Sequence, residues 1–307
     1  MILLAAFRDR ISYPTGMWGF FFGVGNNFLP LMQKELRTAM EAAREAGQLI
    51  LKHSGADVAR RDKSGTYEGH VTGAEVRAAD YDPVTVADEE ADAALRGHLL
   101  GAFPEDGWLS EESTDSSERQ QRSRVWIVDP IDGTKEFLEG IPEFVVSVAL
   151  VEEGVPVVGV IYNPAKNQLY AATKSGGTFL NGKQVFCTEA SDLFDAVLVV
   201  SRSEAARGEI DPLRPHLREV RLMGSAAYKL AVVAAGGSDL NVSVQSKNEW
   251  DVCAGDMLVR EAGGRMLDLE GRVRVYNQPD SLIRGGLAAG NESLTQLAVD
   301  LIKKVNG

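Results

Sequence analysis

The sequence predicts an α/β layered sandwich, with helix layers alternating with sheet layers, and three observations carry that expectation. Uninterrupted apolar runs such as "RVWIVD", "FVVSVALV" and "VPVVGVIY" read as strands buried on both faces. Stretches with apolar residues every three or four positions read as helices before and between such runs. A chain of 307 residues with 44% hydrophobic content is long enough to bury the cores that such stacking needs.

Taken in order, residues 1–30 read as an N-terminal extension, either from an upstream start codon or as an ordinary surface strand. Residues 31–307 form the domain proper, with sub-halves of about 31–185 and 186–307. Leu36, Met40, Ala43, Ala46, Ile50 and Leu51 recur on one broad helical face up to Gly55. Residues 55–82 are polar, contain glycine and show no period, which predicts a flexible loop that orders with the site. A second helix is expected from Val86 to Leu100. Strands follow at "RVWIVD", "FVVSVALV", "VPVVGVIY" and "QLYAAT", with turns at Glu153-Gly154 and Asn163-Pro164 and a hairpin at Asn181-Gly182. The second half alternates: strands at "AVLVVS" and "EVRLM", helix "AAYKLAVVAAG", strand "DLNVSV", helix "WDVCAGDMLVREAGG", strands "RMLDL" and "GLAAG", and a last helix from Asn291.

A net charge of −12 makes phosphate backbones and anionic lipids poor partners, so neither nucleic acid nor membrane is expected. A small phosphate remains acceptable where local cations offset that charge. The apolar run Met17 to Val24 is too short to span a bilayer. The two cysteines, Cys187 and Cys253, suggest neither a disulfide framework nor a zinc site, and a reducing cytoplasm is the simplest location.

The stretch "WIVDPIDGTKEFLEG", Trp126 to Gly140, bears the chemistry. Asp129 ends a buried run, where a carboxylate is costly unless something positive meets it. Pro130 stiffens a turn able to aim Asp129, Asp132 and the Ile131 carbonyl at one point, an oxygen set that suits Mg²⁺. Gly133-Thr134 opens a helical turn whose N–H groups suit a phosphate. Three other segments carry acids: "DPVTVADEEAD" with Asp88, "WLSEES" with Glu111, and "EWDVCAGDMLVREAGG" with Asp251. Singly, each has an ordinary reading: a first-turn acid, a solvated loop charge and a helix N-cap.

Together and in this order, the four segments resemble the inositol monophosphatase superfamily of Mg²⁺-dependent, lithium-sensitive phosphatases. The resemblance rests on Asp129 to Thr134, on Trp250 to Gly255 and on Glu261 to Gly264, and covers roughly residues 32–305. It implies that Glu111, Asp129, the Ile131 carbonyl, Asp132 and Asp251 bind two or three Mg²⁺ ions. Gly133 and Thr134 would present N–H groups to the phosphate of a small substrate. Glu111 and the Thr134 hydroxyl, held by Asp88, would orient and activate water.

The flanks bear on the substrate. "DGTKEF", Ser201-Arg202-Ser203 and Lys229 resemble the 3'(2'),5'-bisphosphate nucleotidase branch, where a lysine meets a second phosphate. Lys229 also reads as an ordinary helix lysine. Gly224 and Ser225 precede it as further substrate-binding candidates. Inositol phosphatases carry an acid six or seven positions before the tryptophan; here stand Ser243 and Val244. Nucleotidases often have an arginine in that strand, and this one has no basic residue before Lys247. The expectation is hydrolysis of adenosine 3',5'-bisphosphate to AMP, with inositol-1-monophosphatase, fructose-1,6-bisphosphatase and histidinol phosphatase as alternatives. Homodimers are common among the inositol phosphatase relatives and monomers among the nucleotidases.

Overall fold

The computed structural model describes residues 32–54, 59–61, 67–70 and 84–306. The expected extension at 1–30 lies outside the described residues, as does most of the expected loop. Where the segment 55–82 is described, it is sheet rather than loop. Strand β1 (Ala59–Arg61) pairs antiparallel with β2 (Tyr67–His70) and with β3 (Val84–Thr85). Strands of two to four residues are too short to display a two-residue period in sequence.

Helix α1 (Gln33–His53) buries Ala39, Ala42, Ala43, Ala46 and Ile50 on one stripe. Helix α2 (Val86–Ala102) answers with Ala87, Ala91, Leu95 and Leu99, a four-residue repeat along one face. The small side chains let the two helices pack closely against each other and against the first sheet.

That sheet has seven strands: β4 (Gly107–Ser110), β5 (Arg124–Asp132), β6 (Val145–Glu152), β7 (Val155–Asn163), β8 (Gln168–Thr173), β9 (Gly177–Leu180) and β10 (Lys183–Val185), in the spatial order β10-β9-β8-β7-β6-β5-β4. β4 and β5 run parallel; the other pairs are antiparallel. Two-residue turns join β6 to β7 at Glu153-Gly154 and β9 to β10 at Asn181-Gly182, with all four residues at positive φ. After β5 comes the short helix α3 (Thr134–Glu139).

The second sheet has five strands in the order β12-β11-β13-β17-β15. They are β11 (Val197–Val200), β12 (Glu219–Leu222), β13 (Leu240–Ser243), β15 (Gly264–Asp268) and β17 (Leu287–Asn291). A separate ladder joins β14 (Lys247–Asn248) to β16 (Leu282–Ile283). The helices of this half are α4 (Arg202–Ala206), α5 (Ala226–Ala234), α6 (Glu249–Glu261) and α7 (Glu292–Asn306).

Three cores order these elements into five layers. Trp126, Val128, Val146, Val148 and Leu150 face α1 and α2. Their strand neighbours Val125, Ile127, Val145, Ala149 and Val151 face the opposite way, onto Leu230 of α5 and Val252 and Met257 of α6. The far side of α5 and α6 meets Val199, Met266 and Ala289 of the second sheet. The last core joins Leu198, Val200 and Val242 to Leu294, Ala298 and Ile302 of α7. Helix, sheet, helix, sheet, helix is the α/β layered sandwich that the apolar runs predicted. The first sheet is covered on both faces, so its strands carry almost no polar alternation.

Candidate active site

Asp129 and Asp132 stand near the carboxyl end of β5. At a spacing of three residues a regular strand would point them to opposite faces. Asp129 pairs with Ser147 and Asp132 with Val145, so three steps on β5 match two on β6. The extra residue makes a bulge at Pro130-Ile131, where proline has no N–H for the ladder. The bulge turns both carboxylates toward the α5–α6 layer, while the Ile131 side chain stays in the core against α1 and α2.

The remaining acids arrive by topology. β4 runs parallel to β5 with Ser110 opposite Val128, so Glu111, the next residue, emerges beside Asp129. Asp251 lies in the first turn of α6, and one of its oxygens accepts the Asn248 backbone N–H at 2.7 Å. One carboxylate oxygen from each of Glu111, Asp129 and Asp251 lies within 4.8 Å of the other two.

Asp129 is 2% exposed, and its Oδ1 is buried without a hydrogen-bond partner. Burial pushes its pKa well up, and the neighbouring charges of Glu111, Asp132, Asp251 and Asp88 push it further. Burial, then Asp132 and Glu111, raise Asp251 to about 8. An orphaned buried acceptor costs about 1–3 kcal/mol, and clustered carboxylates repel. A hard divalent cation relieves both, so the donor set fits Mg²⁺.

These residues open into a cleft of about 460 Å³ that also receives Ile131, Asp132, Gly133, Thr134, Gly224, Ser225 and Lys229. Asp88 is not among the cleft residues; it is 2% exposed in the first turn of α2, within electrostatic reach of Asp129. The Thr134 hydroxyl donates to the Ile131 carbonyl at 3.0 Å. Asp132 Oδ2 accepts from Ser225 Oγ at 2.7 Å and from the Ala227 N–H at 2.5 Å, tying the end of β5 to the start of α5. Ser225 holds a positive φ of 58°, a strained setting for a residue with a side chain, and its Oγ accepts the Tyr228 N–H. Lys229 is 3% exposed, and its Nζ donates to the Ser225 carbonyl at 2.7 Å. Burial lowers the pKa of that ammonium against the pull of Asp132, Glu204 and Glu136.

Gly133 has a φ of 101°, and a Cβ there would stand 2.8 Å from the Glu143 carbonyl oxygen. Gly133→Ala is expected to destabilise the fold by about 1–2 kcal/mol from the left-handed backbone alone, read as a lower melting temperature by circular dichroism. An unchanged melting temperature would show that the β5–α3 turn relaxes freely.

Sequence reasoning passed over several cleft residues. Glu136 and Glu139 come from α3, and Lys247 from β14. Ser201, Arg202 and Ser203, which bear on the substrate branch in the sequence, line the same cleft where β11 ends. Arg202 pairs with Glu143 at 2.6 Å and with Glu136 at 3.5 Å. The signal was available: a polar triplet directly after a buried parallel strand is where α/β sheets place ligands. Among the described residues, no helix is long and apolar enough to cross a membrane.

Comparison with known proteins agrees with this geometry. The model of the inositol monophosphatase family matches residues 31–306. An inositol-1-monophosphatase of Mesorhizobium japonicum is 38% identical over 232 residues, covering 73% of this chain and 84% of its own. The Nus factor SuhB of Xylella fastidiosa is 35% identical over 249 residues, covering 78% of this chain and 84% of its own. The solved structure of a Thermotoga maritima IMPase superposes with a TM-score of 0.74 at 28% identity, covering 89% of this chain and 98% of that one. None of these carries a nucleotidase name. Sequence, fold and acidic cluster converge: the chain belongs to the inositol monophosphatase family and is a phosphatase acting on phosphomonoesters.

Proposed function

We propose that this phosphatase hydrolyses the monophosphate of a small polyol, inositol 1-phosphate in the first instance, at a Mg²⁺ cluster held by Glu111, Asp129, Asp132, Asp251 and the Ile131 carbonyl. The observation that carries the phosphatase site is the meeting of Glu111, Asp129 and Asp251 oxygens within 4.8 Å at a buried, unpartnered Asp129 Oδ1. When bound, Mg²⁺ supplies Lewis acidity, making water more acidic and drawing charge from the phosphoryl oxygens.

The protein supplies position and proton transfer. Glu111 accepts the proton of the attacking water. Thr134 Oγ1 donates to the Ile131 carbonyl, which leaves its lone pairs to accept from that water and orient it. Asp88 supports this corner from α2. Backbone N–H groups of Gly133 and Thr134 face the phosphate, and the Gly224-Ser225 turn borders it.

Two observations favour a polyol over a bisphosphate. Lys229 is buried and already bonded to the Ser225 carbonyl among three carboxylates, which suits a strut better than a free clamp for a second phosphate. Glu204, a buried acid outside the cleft lining, ties positions 243 and 244 to the Ser201 hydroxyl of the cleft. Glu204 Oε1 accepts from Ser243 Oγ at 2.5 Å and from the Val244 N–H at 3.2 Å, and its Oε2 accepts from Ser201 Oγ. Glu204 thereby orients Ser201, a hydroxyl in the cleft wall. The names of the relatives point the same way. The second reading, 3'(2'),5'-bisphosphate nucleotidase, keeps the support of Arg202 and Lys247, two cations that line the same cleft.

A substrate panel decides between them. Inositol 1-phosphate is expected to give a higher kcat/KM than adenosine 3',5'-bisphosphate; the reverse order would establish the nucleotidase. Lys229→Met is expected to lower kcat/KM about ten- to a hundredfold on both, the effect of removing a charged hydrogen bond. A loss confined to the bisphosphate would return Lys229 to the clamp role.

A further inference from the structure

Asp92 lies one helical turn beyond Asp88 on α2 and is 8% exposed. Each of its carboxylate oxygens accepts from a different serine. Ser110 Oγ donates to Oδ1 at 2.5 Å, and Ser113 Oγ donates to Oδ2 at 2.6 Å. Those serines bracket Glu111 and Glu112, where β4 ends. Each serine oxygen is itself engaged by an N–H: the Glu112 backbone donates to Ser110 Oγ at 3.3 Å, and Trp108 Nε1 donates to Ser113 Oγ at 3.3 Å. With their oxygens accepting, both hydroxyl hydrogens turn to Asp92, so the centre of this network must accept twice. A carboxylate does so with both oxygens; a carboxamide accepts on one atom and donates on the other.

We infer that Asp92 is a positioning residue: by clamping Ser110 and Ser113 it fixes the turn between them and aims Glu111 at Asp129 and Asp251. The inference rests on Glu111 being a metal ligand. Ladder pairing with β5 stops at Ser110, so the backbone beyond it has no sheet to hold it. Like charge drives Glu111 away from Asp129 and Asp251, and the clamp opposes that motion. Its effect therefore falls on the metal affinity of the cluster and spares contacts made to substrate across the cleft.

The test is the Mg²⁺ dissociation constant of the substrate-free full chain, measured by calorimetry, with the Mg²⁺ concentration for half-maximal activity and the substrate KM at saturating Mg²⁺. Asp92→Asn is expected to weaken Mg²⁺ about tenfold, as loss of a residue that orients a ligand does, with KM within about twofold of the parent. Ser113→Ala is expected to shift affinity the same way by a smaller factor. Asp106→Asn is the control. Its carboxylate accepts from Trp126 Nε1 at 3.0 Å and Arg124 at 3.1 Å and, like that of Asp92, lies outside the cleft lining, but its partners stand at the start of β5, away from Glu111 and Asp129. It is expected to lower the melting temperature with Mg²⁺ affinity unchanged. Parental Mg²⁺ affinity in Asp92→Asn, or a loss matched by Asp106→Asn, overturns the positioning role. If Asp92→Asn does not fold, unchanged affinity in Ser113→Ala overturns it. Failure of the parent itself to bind Mg²⁺ removes the metal reading beneath it.

Discussion

Asp129→Asn is expected to lower kcat/KM by at least about a thousandfold, and at alkaline pH to raise the melting temperature of the metal-free protein. The first half follows from position. Asp129 Oδ1 is buried and unpartnered, and Glu111 and Asp251 oxygens converge on this carboxylate. An amide oxygen carries no net charge, and losing several kcal/mol of metal-borne charge stabilisation, about 4 kcal/mol, corresponds to roughly a thousandfold in rate. The second half follows from energetics. Asparagine matches aspartate in shape but removes a buried charge that Glu111, Asp132, Asp251 and Asp88 all repel. A gain of about 1 kcal/mol would raise the melting temperature by about 2–4 °C in a chain of this size. Asp132→Asn is the informative contrast. Its carboxylate accepts from Ser225 Oγ and the Ala227 N–H on one oxygen, so an amide there weakens a structural tie and no such gain is expected. Scanning calorimetry in EDTA together with phosphate release separates the two variants. A melting temperature below the parent's for Asp129→Asn, or activity within tenfold of it, contradicts the assignment.

The buried strands could be read because burial on both faces leaves an uninterrupted apolar record. Val145 to Val151 shows only Ser147 as a polar break, and that serine bonds the Trp250 carbonyl of α6. Tight turns were equally legible: Glu153-Gly154 and Asn181-Gly182 take the positive φ that such two-residue loops need. Glu111, Asp129, Asp132 and Asp251 were legible for a different reason. Each sits at the end of an apolar strand or the start of a helix, where a lone carboxylate calls for a partner. Their meeting depends on β4 running parallel to β5 and on a bulge that Pro130 announces locally.

What stayed hidden is distributed over distance. Asp92 and its two serines are separated by 18 and 21 residues, and each looks like ordinary surface chemistry alone. Glu204 meets Ser243 across 39 residues, so the buried acid that ties these two segments together shows in neither of them alone. Lys229 showed its charge but not its burial. On a helix whose residues are nearly all apolar, only packing decides whether an ammonium reaches solvent or turns back to a carbonyl. The short strands at 59–61 and 67–70 pair with one another, but neither is long enough to imprint a period.

The remaining large effect couples pH, metal and stability. Without metal the protein is expected to lose stability as pH rises from about 4 to above 8, and Mg²⁺ is expected to restore part of that loss. The sign follows from proton binding. Burial and like charge raise Asp129 and bring Asp251 to about 8, whereas in the unfolded chain both titrate near 3.8. Between those values the folded state holds more protons than the unfolded state, so stability falls with rising pH. Glu249, raised to about 7 chiefly by burial, adds to the fall with the same sign. Its two oxygens accept the Asn277 and Gln278 N–H groups, so its share is not expected to respond to metal. Mg²⁺ binds the deprotonated carboxylates, so its affinity rises through the same window and binding expels protons. At a concentration a hundred times the dissociation constant, it stabilises the fold by about 2.7 kcal/mol, worth about 5–10 °C in melting temperature. The measurement is the melting temperature in excess Mg²⁺ and in EDTA at pH 5, 7 and 9. The gap between the two curves should widen with pH, and proton release, read from calorimetry in buffers of different ionisation enthalpy, should diminish toward pH 9. A gap that is constant or narrows as pH rises would mean that the carboxylates of the cleft are not the groups that receive the metal.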